Sequence, residues 1–154
     1  MDSLNRASLN DASDIIKIFY LYRDIFPHIR KDYIDRNLEK GNVIYENDVI
    51  IIYNKYLKKT RLGNIHALKG NFILHQIVTK YRDGRATQIF KKFLNELDDK
   101  LFLTVRSSNT KAINFYERNG MKCVGDIAWK NNTLPGKVFL YTTPNNLYEK
   151  FALL

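Results

Sequence analysis

Asn109 and Tyr116 are two residues whose types and spacing could serve chemistry. They stand seven residues apart in a stretch typical of an amphipathic helix, which places them two turns apart on one side. A phenol within hydrogen-bond reach can donate a proton to a reacting group. Tyrosine is also a frequent core aromatic whose hydroxyl reaches the surface, so the residue type alone leaves both roles open for Tyr116.

A short loop before another helix has the composition of a phosphate site. Its residues are Arg82, Asp83, Gly84, Arg85, Ala86 and Thr87. Small residues let backbone N–H groups close around a phosphate, and a helix N-terminus adds favourable partial charge. The two arginines add planar guanidinium donors. A glycine-containing turn before a helix is common, so the loop alone is weak evidence.

His75, in the apolar segment before this loop, is the third candidate. A neutral imidazole titrates in the range that proton transfer near pH 7 requires. His75 can equally be a histidine satisfied within a sheet. The three His and one Cys of the chain show no metal-ligand spacing, so we expect no metal.

Hydrophobic spacing predicts the elements that position these residues. Helices are expected from the cap at Asn10 or Asp11 to Pro27, and over 28–40, 86–98 and 109–119. Strands are expected over 3–7, 43–46, 49–56, 71–79, 101–105, 122–130 and 137–143, with 57–69 basic and irregular. Pro144 should end the last strand, and 145–154 is expected to form a short terminal helix. Strands alternating with helices indicate an α/β or α+β domain.

The stretch 101–126 resembles the second half of the cofactor-binding core of the GNAT N-acetyltransferase superfamily. The residues that match the family pattern are Asn109, Lys111, Ala112, Phe115, Tyr116, Glu117 and Gly120. The element order β-α-α-β-β-β-α-β-α-β-β matches over nearly the whole chain. The resemblance implies one GNAT-like domain over 1–154, with a single mixed central sheet flanked by helices.

The resemblance also implies acetyl-coenzyme A as cofactor, and it assigns roles to residues. Tyr116 would be the general acid at the departing thiolate, and Asn109 would orient the cofactor arm. Backbone groups of Gln76 and Ile77 would pair with the pantetheine arm. Members of the family often use a Glu on this strand, or a chain of waters, as the base. Residues 71–79 contain no acid, and His75 is the candidate there that could accept a proton through water.

The loop departs from the family form Arg/Gln-x-x-Gly-x-Gly/Ala. Without a gap, Arg85 takes the place of the central Gly and Thr87 that of the last small residue. A deletion of one residue restores the pattern at Gly84 and Ala86. The resemblance therefore implies a pyrophosphate loop over 82–87 in one of two registers.

The net charge of +9 is concentrated in one part of the chain. Residues 55–118 contain 14 Lys+Arg and 5 Asp+Glu, which gives +9, and the remainder sums to zero. A positive field there can capture an anionic cofactor. It also suits DNA, RNA or another polyanion. A solvated basic face without a partner is the third interpretation.

Composition and local patterns limit the other classes of protein. Aromatic and hydrophobic content argues against disorder, and a single Cys excludes an internal disulfide. Cys123 should be a buried strand residue. No signal pattern or long apolar run is present, so we expect a cytoplasmic protein without a membrane partner, as a monomer or homodimer.

The leading hypothesis is an acetyl-coenzyme A-dependent N-acetyltransferase whose amine acceptor attacks directly in a ternary complex. The alternatives are a nucleic-acid-binding or nucleic-acid-modifying protein that uses the basic region, and a GNAT-like domain that binds cofactor without turnover.

Overall fold

The computed structural model describes residues 3–143. Pro144 and the terminal helix expected over 145–154 therefore lie outside the described residues, and the last strand ends before them, at Tyr141. The chain divides into two compact units, which are described separately. The first contains the residues up to 54 together with 75–96, and the second contains 55–74 together with the residues from 97 onward. The prediction of a single domain stays a prediction.

Three helices belong to the first unit. They are α1 (Ala12–Leu21), which a short 3₁₀ turn (Leu9–Asp11) precedes, α2 (Lys31–Glu39) and α3 (Arg85–Glu96). Helix α1 ends at Leu21 instead of continuing to Pro27, because Tyr22 leaves the helical conformation at ψ 30°. Helix α3 buries four apolar side chains that recur at helical spacing, namely Ile89, Phe90, Phe93 and Leu94.

A tight hairpin carries the core of the first unit. Strands β1 (Val43–Glu46) and β2 (Val49–Lys55) pair antiparallel across Asn47 and Asp48. Both turn residues have positive φ, 51° and 60°, as a two-residue hairpin turn requires. The expected first strand is reduced to one bridge between Arg6 and Ile44, because residues 3–8 contribute too few ladder bonds to form a strand.

The second unit is built on an antiparallel ladder. Its elements are β3 (Thr60–Leu62), β4 (Ile65–Ala67), β6 (Leu101–Arg106), α4 (Thr110–Arg118), β7 (Lys122–Trp129) and β8 (Leu134–Tyr141). Strand β8 pairs with both β6 and β7. Cys123 is exposed rather than buried, because its strand β7 is the last in the sheet.

The segment 57–69 was predicted to be irregular, and that prediction is wrong. It forms the β3–β4 hairpin, in which Thr60 faces Ala67 and Leu62 faces Ile65. Leu62 and Ala67 are buried and pack with Ile73, Phe102 and Val138. The basic composition of the segment conceals these two buried apolar positions.

The remaining strand, β5 (Phe72–Thr79), contributes residues to both units. Hydrogen-bonded neighbours follow the order β1-β2-β5-β6-β8-β7, with β3-β4 as a separate two-stranded sheet. The β5–β6 pair is parallel and the β1–β2, β6–β8 and β7–β8 pairs are antiparallel, which confirms a mixed sheet. Among residues 3–143, no helix is long and apolar enough to cross a membrane.

Gly63, in the turn of the β3–β4 hairpin, lies directly against strand β7. Its φ is +61°, and a Cβ built there would stand 1.9 Å from the carbonyl oxygen of Asp126. The neighbouring Asn64 donates its N–H to that same oxygen at 3.3 Å and accepts the Asp126 N–H through its side chain at 3.0 Å. Only glycine permits this approach of two backbones.

We predict that Gly63→Ala is strongly destabilising. The variant combines an unfavourable φ with a clash against backbone, which cannot rotate away as a side chain can. Gly41→Ala is the matched control, since Gly41 has φ +73° but nothing within 4 Å of its Cβ position. We expect the control to lose about 1 kcal/mol and Gly63→Ala about 2 kcal/mol more, measured by urea unfolding. Equal losses in the two variants would contradict the role assigned to this contact.

Candidate functional site

The candidate phosphate loop lies in the first unit, between β5 and α3. Gly84 immediately precedes α3, has φ +88° and has open space where a Cβ would stand. The Gln88 N–H donates to the Gly84 carbonyl at 3.2 Å. The N–H groups of Ala86 and Thr87 have no hydrogen-bond partner among the described residues. Two backbone donors in the first turn of a 12-residue helix are therefore left to other partners, as is usual at a helix N-terminus.

Arg85, the first residue of α3, is held by an ion pair within this loop. Its Nε lies 3.0 Å from Asp83 Oδ1 and its Nη2 lies 2.8 Å from Asp83 Oδ2, which is a bidentate contact. Its Nη1 donates to the Asn47 carbonyl at 3.2 Å and lies 3.5 Å from Asp48 Oδ2. The guanidinium also stands 3.7 Å from the centre of the Tyr81 ring, which favours stacking.

The Asp83 carboxylate also accepts a hydrogen bond at the start of helix α3. Its Oδ1 accepts the backbone N–H of Arg85 at 3.2 Å, which satisfies one donor of the first turn. The hydrogen bond from Arg85 holds the pKa of the Asp83 carboxyl below its usual value, and the same bond raises the pKa of Arg85. The loop therefore carries a carboxylate that stays ionised, close to where a phosphate would bind.

Arg82 differs from Arg85 in its surroundings. It is exposed, and it forms no ion pair or hydrogen bond with any residue of the described chain. Sequence reasoning treated the two arginines alike. It could not separate them, because Asn47 and Asp48, which hold Arg85, stand 38 and 37 residues away.

The strand residues expected near the reacting centre belong to the first unit, on the later part of β5. His75 has an exposed surface, yet desolvation by surrounding protein lowers the pKa of its imidazole, and the charge of Lys40 lowers it further. His75 is thus neutral at pH 7. The ladder between β5 and β6 contains only Phe72 with Leu101 and Ile73 with Phe102, so it does not include Gln76 or Ile77.

Asn109 and Tyr116 belong to the second unit, on either end of α4. Asn109 is the N-cap of this helix, and its Oδ1 accepts the Ala112 N–H at 3.2 Å. That bond gives Asn109 a structural role that the sequence reasoning missed, although Asn is a preferred cap residue.

Tyr116 lies within an aromatic group of the same unit. Its ring centre is 5.6 Å from that of Phe115 and 6.4 Å from that of Phe139. Desolvation by burial raises the pKa of Tyr116 to about 12, while part of the residue stays exposed. The phenol therefore keeps its proton throughout the physiological pH range.

Comparison with solved structures identifies this architecture. A GNAT-family acetyltransferase from Bacillus cereus superposes with a TM-score of 0.66 and 18% identity, covering 93% of this chain and 98% of that one. Arabidopsis thaliana NAA60 in complex with acetyl-CoA superposes with a TM-score of 0.64 and 15% identity, covering 90% and 98%. The chain has the GNAT fold.

A third structure with the GNAT fold is the ribosomal-protein-S18-alanine N-acetyltransferase from Escherichia coli. It has a TM-score of 0.63 and 15% identity, covering 92% of this chain and 94% of that one. No protein-family profile and no curated protein matches the sequence. Within residues 3–143, no group of three or more His, Cys, Asp or Glu is arranged to hold a metal ion.

Proposed function

We propose that the protein is an acetyl-CoA-dependent N-acetyltransferase that acts on a primary amine. The observation that carries the proposal is the start of α3, where left-handed Gly84 precedes two N–H groups without partners among the described residues. This supports the register in which Gly84 and Ala86 are the small residues of the loop. Structures with the same fold are those of acetyltransferases, one of them in complex with acetyl-CoA.

The residues of the loop fit a pyrophosphate group. The N–H groups of Ala86 and Thr87 would donate to its oxygens, and the exposed Arg82 would add charge-assisted bonds. In the free protein Arg85 has Asp83 as its anionic partner, so a phosphate would reach the Arg85 guanidinium only by displacing that carboxylate. When bound, acetyl-CoA supplies the acetyl group as a thioester.

The roles proposed for Tyr116 and His75 agree with their protonation states. Backbone groups of Gln76 and Ile77 would align the cofactor arm and polarise the thioester carbonyl. The amine nitrogen would form a bond to the carbonyl carbon as the carbon–sulfur bond broke, with the coenzyme A thiol as leaving group. Tyr116 would give its proton to the leaving sulfur, and neutral His75 would accept the proton of the amine through water.

The single-domain organisation, the cytoplasmic location and the state of monomer or homodimer stay predictions. If the protein binds acetyl-CoA but acetylates no amine, it is a domain that binds the cofactor without turnover. Mass spectrometry of the purified protein for bound coenzyme A is the most direct first experiment.

A second candidate function is binding of nucleic acid or another polyanion. Residues 55–70 contain five cations and no acid. All five are exposed, on or beside the β3–β4 hairpin: Lys55, Lys58, Lys59, Arg61 and Lys69. An unopposed group of cations on one exposed segment favours an anionic partner.

The first prediction for the proposed function concerns cofactor binding. Acetyl-CoA should raise the Tm of the wild-type protein, since a ligand that binds only the folded state stabilises it. Arg82→Ala should reduce that shift. Lys91→Ala, which removes the same charge from an exposed position in the body of α3, should leave it nearly unchanged. An absence of any shift at millimolar cofactor would contradict the proposal.

The second prediction concerns Tyr116. Tyr116→Phe keeps the ring and removes the proton, so we expect the rate of thiol release with a panel of primary amines to fall about 10- to 1,000-fold. The cofactor-induced change in Tm should stay as in the wild type. Phe115→Leu, a change to the neighbouring ring, controls for altered packing. An unchanged rate in Tyr116→Phe would return Tyr116 to a structural role.

The third prediction tests the second candidate. Duplex or single-stranded DNA should bind at low salt and dissociate steeply as salt rises, because the affinity comes from counterion release. Replacing Lys58 and Lys59 by Gln should weaken binding and flatten the salt dependence. Lys111 and Lys122 replaced by Gln form the control with the same change of charge. If neither DNA binds at low salt in a gel-shift titration, the cations serve solubility and steering alone.

A further inference from the structure

Asp83 is the one acid inside the loop to which the proposed function assigns a pyrophosphate. Its carboxylate makes two contacts that a phosphate would make: it accepts the backbone N–H of Arg85 at 3.2 Å, and it pairs with the Arg85 guanidinium at 2.8 Å and 3.0 Å. The anion-binding start of α3 is therefore partly occupied by an anion of the protein itself.

We propose that Asp83 is an internal competitor of the cofactor phosphates and limits the affinity for coenzyme A. The inference rests on the proposed function. In the free protein Arg85 pairs with Asp83, and in the complex Arg85 and its N–H exchange that carboxylate for a phosphate oxygen. Asp83 then turns into solvent, where its charge still opposes the bound phosphates.

The surroundings of the pair allow Asp83, rather than Arg85, to move. The Asp83 side chain is 51% exposed and that of Arg85 is 19% exposed. Arg85 keeps three other contacts, with the ring of Tyr81, the carbonyl of Asn47 and the carboxylate of Asp48. The hydrogen bonds and ion pair of Asp83 with other residues, among those described, all go to Arg85. The guanidinium therefore stays in place when the carboxylate turns away.

The opposite role for Asp83 makes the opposite prediction. If the carboxylate only positioned Arg85 for the cofactor, its removal would misplace the guanidinium and weaken binding. If it competes, its removal strengthens binding. Because the two roles differ in sign, a single measurement of affinity separates them.

The test is isothermal titration of the full chain with coenzyme A and with S-acetyl-pantetheine, which lacks the phosphates. Asp83→Asn keeps an oxygen that can accept the Arg85 N–H and removes the charge. Asp83→Ala removes both. Asp98→Asn, at an exposed position, controls for the change in net charge. Urea unfolding of each variant verifies that it is folded.

We expect Asp83→Asn to lower the Kd for coenzyme A about fivefold and to leave the Kd for S-acetyl-pantetheine unchanged. Asp83→Ala should also bind coenzyme A more tightly than the wild type, and Asp98→Asn should match the wild type. Arg85→Gln should weaken coenzyme A binding.

Two results would overturn the inference, and only one of them would also overturn the proposed function. If the wild type binds coenzyme A and Asp83→Asn binds equally or less tightly, the competition is wrong and the proposed function stands. If neither the wild type nor Asp83→Asn binds coenzyme A at millimolar concentration, the proposed function falls and the inference falls with it.

Discussion

The left-handed backbone at Gly84 is the constraint on which the candidate phosphate loop depends. Strand β5 ends at Thr79 and α3 begins at Arg85, and Gly84, with φ at +88°, is the last residue of the connection. The N–H groups of Ala86 and Thr87, which follow this turn, have no partner among the described residues, and the space beside Gly84 is open. The turn also brings Arg85 to the first position of the helix, where Tyr81 and the turn of the β1–β2 hairpin can hold its guanidinium. The properties of the loop follow from this geometry.

The strongest elements could be predicted from sequence because their apolar residues alternate or recur with a clear period. The Asn47-Asp48 hairpin and helix α3 are examples, since the turn residues tolerate positive φ and the helix has one apolar stripe. The prediction of a first strand failed because this segment pairs through one bridge only. The hairpin within 57–69 was missed because only Leu62 and Ala67 are buried in it, although Gly63-Asn64 is a typical two-residue turn.

In the candidate site, too, some features could be predicted from the sequence and others could not. Asn109 and Tyr116 were proposed from a resemblance, and local sequence also suffices to explain the cap that Asn109 forms. The ion pair of Arg85 with Asp83 is local too, yet nothing in the sequence shows that an arginine and an acid two residues apart will meet rather than point apart. The contact of Arg85 with Asp48 depends on tertiary structure and could not be predicted from the sequence. The contact of the Tyr116 ring with Phe139, which follows it by 23 residues, likewise depends on tertiary structure.

The approach of Gly63 to Asp126 has a consequence for self-association. Strand β7 is the last in the sheet, and the outer edge of such a strand normally offers its backbone to another chain. Here Asn64 forms hydrogen bonds with both the carbonyl and the N–H of Asp126. The turn of the β3–β4 hairpin therefore covers the backbone of β7 near the middle of the strand. A second copy cannot extend the sheet through this part of β7. The β3–β4 hairpin therefore hinders strand-to-strand aggregation at this edge. Glycine at position 63 lets the hairpin come close enough to do so.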